Sequence, residues 1–203
     1  VNRLVLTVAS ISILILVLWN HQDEQKIKHQ QTLGKVVVFG DSLVSGYGST
    51  PGKNYPNYLD QLLPGNVIAV GRNGDTVAKA RERAKDVIKH SPSAVIVTLG
   101  GNDILQGVPL DQTLDHLKQL FTLFQEQGIM VFYTGINPPF VSDDRSEAIQ
   151  ELCFKMEVGY IPDVMNELWL DPTLMSDRIH PNSRGYQRIA QKVYDALQEM
   201  VEE

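Results

Sequence analysis

Val36-Val37-Val38-Phe39-Gly40-Asp41-Ser42-Leu43 passes directly from an unbroken apolar run into turn-forming polar residues. A short apolar run without alternation is the mark of a strand covered on both faces, as in a parallel sheet. Similar runs recur at Val67-Ile68-Ala69-Val70, at Ala94-Val95-Ile96-Val97-Thr98-Leu99 and at Ile129-Met130-Val131-Phe132-Tyr133, with a weaker fifth near Tyr160-Ile161. Helical patterns separate them. Leu114, Leu117, Leu120, Phe121 and Phe124 fall on one helical face, as do Ile189, Val193, Leu197 and Met200. These stripes read as core. Buried strands alternating with amphipathic helices predict an α/β fold, a parallel sheet between two helical layers. Active sites of such sheets lie beyond the carboxyl ends of the strands. Three strands end there in polar clusters: Gly40-Asp41-Ser42, Gly71-Arg72-Asn73-Gly74-Asp75 and Gly100-Gly101-Asn102-Asp103.

Composition narrows the function. The 203 residues are 43% hydrophobic and 21% charged, ordinary for a globular chain and sufficient for one domain with an appendage. A net charge of -6 and sparse aromatics argue against nucleic acid, which calls for clustered Lys/Arg and stacking rings. The single cysteine, Cys153, excludes an intramolecular disulfide and a thiolate metal cluster, and its place in a helical pattern reads as a packed thiol.

A serine hydroxyl attacks a carbonyl only when a base takes its proton and a third group orients that base. Ser42 sits at a strand end before a helical start, with Gly40 expected to allow the turn. Asp177-Arg178-Ile179-His180-Pro181 supplies the base, since an Asp three residues before a His can accept its Nδ1 proton and leave Nε2 for the serine. Of the five histidines, His21 and His29 fall in a polar tether, and His90 and His116 in charged helical stretches that read as solvated surface. The oxyanion of a tetrahedral intermediate needs preorganised donors. Asn102 offers a side-chain amide, and Ser42 and Gly74 offer backbone amides.

Over Lys35 to Glu203 the chain resembles the GDSL, or SGNH, hydrolase family. Gly40-Asp41-Ser42-Leu43 resembles the first block, Gly74 within Asn73-Gly74-Asp75-Thr76 the second, Gly100-Gly101-Asn102-Asp103 the third and Asp177-Arg178-Ile179-His180-Pro181-Asn182 the last. The details resemble most the bacterial thioesterase I/lysophospholipase/arylesterase subgroup. The resemblance implies a flavodoxin-like three-layer α/β/α sandwich, catalytic Ser42, Asp177 and His180, and an oxyanion hole of Ser42, Gly74 and Asn102. It implies hydrolysis of a carboxylic ester or thioester, of acyl, lysophospholipid or aryl type, without metal or cofactor. Asp41 and Asp103 match block residues that hold loops together. Ala69 stands where the subgroup commonly has Asn, and 136–156 keeps little of its pattern in a region that helps form the acyl pocket. The same residues would serve a carbohydrate O-deacetylase of the cell envelope. A catalytically inert tethered binding protein is the reading from another class.

Leu4 to Trp19 is a charge-free apolar run after Arg3, slightly shorter than the ~17–25 residues of a usual span and without a small-x-small cleavage site. It reads as a signal anchor over 1–20, with a cleaved signal as the alternative. Residues 21–34 read as a polar linker and 35–203 as the hydrolase domain. Arg3 and Trp19 predict an inner-membrane anchor with the domain facing the periplasm, or a periplasmic domain if the segment is cleaved. The expected partner is a small acyl ester or thioester, and the sequence leaves the oligomeric state open.

Overall fold

The computed structural model describes residues 33–63, 65–139 and 144–201. The expected N-terminal hydrophobic helix, and nearly all of the expected linker, lie outside these residues. Among the described residues, no helix is long and apolar enough to cross a membrane.

The predicted strands form one sheet: β1 (Val36–Gly40), β2 (Val67–Gly71), β3 (Ala94–Thr98), β4 (Met130–Thr134) and β5 (Gly159–Ile161). All neighbours are parallel, in the order β2-β1-β3-β4-β5. The chain leaves β1 in one direction along the sheet for β2 and returns to the other side for β3. That reversal opens a crevice beyond the carboxyl ends of β1 and β3, the usual place for a ligand in this topology. Ser42 follows β1 and Asn102 follows β3, so the order of strands alone brings them to it.

Helices fill both faces. In chain order they are α1 (Ser42–Ser45), α2 (Tyr55–Leu62), α3 (Val77–Glu82), α4 (Lys85–Ile88), α5 (Gly101–Leu105), α6 (Leu110–Gln125), α7 (Arg145–Lys155), α8 (Asn166–Trp169) and α9 (Ser183–Val201). Successive strand residues point to opposite faces. Val36, Val38 and Ile96 pack with Tyr55 and Leu59 of α2 and with Ile189, Val193 and Leu197 of α9. Val37, Phe39, Val95 and Val97 pack with Val77 of α3, with Leu117, Leu120, Phe121 and Phe124 of α6, and with Ile149 and Cys153 of α7. Every residue of β1 is buried, which explains its unbroken apolar sequence. Each such side chain contributes about 1.5–3 kcal/mol by leaving water. Truncating Phe124, fully buried and edge-on to Phe39 at 5.9 Å, would open both the α6 layer and the central strand.

Gly40 differs from expectation in its reason. It is the last residue of β1 and has no positive φ. A Cβ there would stand 2.2 Å from the Thr98 carbonyl oxygen and 2.6 Å from Val44 Cγ2. Close approach of β1 to β3, and not turn conformation, demands the glycine. The turn residue is Gly46, at φ 83°, which closes α1 by donating its N–H to Ser42 O.

Candidate active site

Ser42 is the first residue of α1, one step beyond Asp41, which caps the helix by accepting from Leu43 N at 3.0 Å. The short helix is also held by a side chain of α9. Tyr186 of α9, fully buried, donates its hydroxyl to Tyr47 O at 2.8 Å and to Ser42 O at 3.4 Å. The serine therefore stands on a turn fixed at both ends.

His180 comes from the loop before α9. A bridge between Met175 and Pro181 and a bond from Ser176 N to His180 O at 2.8 Å fold 175–181 into a tight turn. Asn182 closes it, its side-chain amide donating to Thr173 O and Met175 O. Inside that turn Asp177 Oδ1 accepts from Ile179 N and His180 N, each at 2.7 Å, while Oδ2 faces His180 Nδ1 at 2.8 Å. Burial works to raise the Asp177 carboxyl. The bonds from the His180 ring and the two amides outweigh it and hold the carboxyl below its usual value. An ionised carboxylate only accepts, so Nδ1 carries the proton and Nε2 of the neutral ring presents a lone pair. That nitrogen lies 3.0 Å from Ser42 Oγ. The structure thus brings Ser42, His180 and Asp177 into one hydrogen-bonded line, across 138 residues between serine and histidine. Tyr47 lies against the imidazole, ring centroids 4.5 Å apart.

Ser42 and His180 open into a cavity of about 250 Å³ that Gly74 and Asn102 also line. Asp41, Tyr47 and Asn73 line it too, and most of the remaining wall is apolar: Leu43, Leu105, Ile136, Pro138, Met165, Trp169 and Ile179. Gly74 is at φ 78°, a conformation that favours glycine, and a Cβ there would meet nothing within 4 Å. The Asn102 amide nitrogen donates to Asp41 Oδ2 at 2.9 Å and to the Asp75 carbonyl at 3.1 Å. Both N–H groups of the amide are thus engaged. Asp41 is 2% exposed. Burial pushes its carboxyl up to about 6, against the opposing bonds from Leu43 and Asn102. Asp103, fully buried, accepts from Val77 N at 2.9 Å and so ties the start of α3 to α5. Its carboxyl too is raised by burial.

Sequence reasoning missed Arg83. It is 6% exposed and lies beneath the polar rim. Its Nε pairs with Asp75 Oδ2 at 2.5 Å, Nη2 donates to Gly40 O at 2.7 Å, and its guanidinium covers the Phe39 ring at 4.5 Å. One side chain thereby braces the ends of β1 and of the loop after β2. Its sequence neighbourhood, Ala80-Arg81-Glu82-Arg83, carries no local sign of burial. Tyr47 had a findable signal, an aromatic between two glycines directly after the serine turn. His116 departs from the solvated reading: it is only half exposed, and its Nδ1 is out of solvent. Trp169 lines the cavity whereas its neighbour Leu170 is 81% exposed.

Comparison with known proteins places the chain among ester hydrolases. The model of the GDSL-like lipase/acylhydrolase family matches residues 38–188. An arylesterase of Vibrio mimicus is 29% identical over 179 residues, covering 82% of this chain and 90% of that protein. Thioesterase 1/protease 1/lysophospholipase L1 of Escherichia coli (strain K12) is 29% identical over 175 residues, covering 82% and 84%. Among solved structures, the psychrotrophic esterase EstA from Pseudoalteromonas sp. superposes with a TM-score of 0.77 at 20% identity, covering 84% of this chain and all of that one, a likeness of fold.

Proposed function

The chain belongs to the GDSL-like lipase/acylhydrolase family, and we propose that it is an esterase or thioesterase in which Ser42 is the nucleophile, His180 the general base and acid, and Asp177 the residue that orients the ring. Ser42 Oγ attacks the substrate carbonyl as its proton passes to His180 Nε2. The imidazolium that forms is stabilised by Asp177 and then protonates the leaving alcohol or thiol. Water repeats the sequence on the acyl-enzyme, with His180 again as base. The amides of Ser42 and Gly74 and the side chain of Asn102 donate to the oxyanion. Neither step calls for a metal or cofactor.

The observation that carries this reading is the line from Asp177 through His180 to Ser42, 2.8 and 3.0 Å between successive polar atoms, ending in an apolar-walled cavity. The cavity supports a preference among substrates. At about 250 Å³ it lies at the small end of the roughly 300–1,000 Å³ of ligand pockets, which favours a benzoyl or short acyl group. Aryl and short-chain acyl esters fit inside, and longer chains of a lysophospholipid extend through the mouth. The apolar run 4–19 supports an anchor that holds the domain on the periplasmic face of the inner membrane.

A panel of p-nitrophenyl esters from acetyl to palmitoyl, with an acyl-CoA, a lysophospholipid and an acetylated glycan, tests the proposal. The expected result is highest kcat/KM for short and aryl acyl groups, lost in Ser42→Ala. Equal turnover by Ser42→Ala contradicts the assignment, and activity on the glycan alone favours the deacetylase.

A further inference from the structure

We propose that Asp41 is a positioning residue that decides which end of the Asn102 carboxamide faces the cavity. The inference rests on the place proposed above for Asn102 among the oxyanion donors. The two ends of an asparagine side chain have nearly the same shape, and only their hydrogen-bond partners distinguish oxygen from nitrogen. Among the described residues the Asn102 amide has two partners, and both are oxygens: Asp41 Oδ2 at 2.9 Å and the Asp75 carbonyl at 3.1 Å. Neither a carboxylate nor a carbonyl has a proton to give. Turning the amide over would set the Asn102 oxygen against two others, so the nitrogen is held on this side, where an anion would share one of its two engaged N–H groups.

Asp41 is itself buried and hydrogen-bonded. Its Oδ1 is taken by Leu43 N, and its carboxyl is 2% exposed. Asp75 is fixed in turn by its ion pair with Arg83. Capping α1 does not account for a carboxylate here, because serine caps a helix about as well as aspartate and brings no charge out of water. The acid is explained by its second oxygen, the one aimed at Asn102. Burial raises the group to about 6, which leaves it ionised, and so an acceptor only, at neutral pH and above.

A double-mutant cycle on the full chain at pH 8 tests this, with kcat, KM and Tm measured on a short p-nitrophenyl ester. Asp41→Ser keeps a cap for Leu43 N but is too short to reach Asn102. Loss of one oxyanion donor in Asn102→Ala is expected to lower kcat about 100-fold or more. Asp41→Ser is expected to lower kcat about 10-fold or more with KM within about 2-fold, and to cost less than about 3-fold further once Asn102 is alanine. Asp41→Asn, which keeps the shape, is expected to give the same non-additive pattern and serves if the serine variant does not fold. Wild-type kcat in Asp41→Ser, or an equal loss with and without Asn102, overturns the proposal by leaving Asp41 a cap alone. Wild-type kcat in Asn102→Ala overturns the oxyanion reading itself, and the proposal with it.

Discussion

Replacing Arg83 by methionine would leave the Asp75 carboxylate buried without its counter-charge. The two side chains are 7% and 5% exposed and meet at 2.5 Å, so little water screens the pair. Removing one partner of such a pair costs about 3–5 kcal/mol, because the remaining charge stays desolvated. Two further bonds go with it, from Nη2 to Gly40 O at 2.7 Å and from Nη1 to Val70 O at 3.3 Å. Methionine keeps an apolar stem against Phe39, where the guanidinium now lies at 4.5 Å, and that contact offsets part of the loss. The lower end of the range, about 3 kcal/mol, is therefore expected. It is a large share of a domain stability on the order of 5–15 kcal/mol. At roughly 2–4 °C per kcal/mol for a chain of this size, Tm falls by about 6–12 °C. Urea unfolding followed by circular dichroism reads the loss directly. Neutralising the stranded charge as well, in Arg83→Met/Asp75→Asn, should recover much of it. Stability of Arg83→Met within about 0.5 kcal/mol of wild type would refute the reasoning, since surface-like substitutions behave that way.

Two further outcomes follow from buried titratable groups. Asp41 has a folded value of about 6, above its unfolded value, so between about pH 4 and 6 the folded state holds a proton that the unfolded state lacks. The stability of wild type relative to Asp41→Asn then falls as pH rises through that window, by up to about 3 kcal/mol, and levels above it; a difference that stays constant from pH 4 to 7 contradicts the burial argument. Burial pushes the Cys153 thiol up to about 12, so native protein at pH 8 should not react with a thiol-specific chromogenic disulfide until urea unfolds it. Stoichiometric labelling of the native protein would show the thiol open to solvent.

The sheet was legible because parallel strands buried on both faces must be apolar at every position, and β1 and β3 are buried throughout. β5 gave only a weak signal for a physical reason: it is an edge strand of three residues, two of them half-buried. The helical stripe from Leu114 to Phe124 was equally clear, and Leu117, Leu120, Phe121 and Phe124 are all fully buried. The geometry of the candidate site was legible where a local rule ties type to place, as with an Asp three residues before a His in a turn. What stayed hidden depends on contacts distant in sequence. Arg83 looks like any cation of a charged helix, and its burial follows from Phe39 and Gly40, 43 residues away at the latter. The need for glycine at 40 comes from a carbonyl on β3 that no local pattern reveals. Tyr186 was hidden in the same way, since the carbonyls it supports belong to the opposite end of the chain.

The central claim is that the hydroxyl of Ser42, made nucleophilic by His180, forms the covalent bond to the substrate acyl group. Reaction of the full chain with a fluorophosphonate, followed by intact mass and fragmentation of the labelled peptide, tests it most directly. A single adduct on Ser42, resolved from Ser45 and Ser49 in the same peptide, is the predicted result, with no adduct in Ser42→Ala and much slower labelling in His180→Ala. An adduct on another residue, or undiminished labelling of Ser42→Ala, would contradict it.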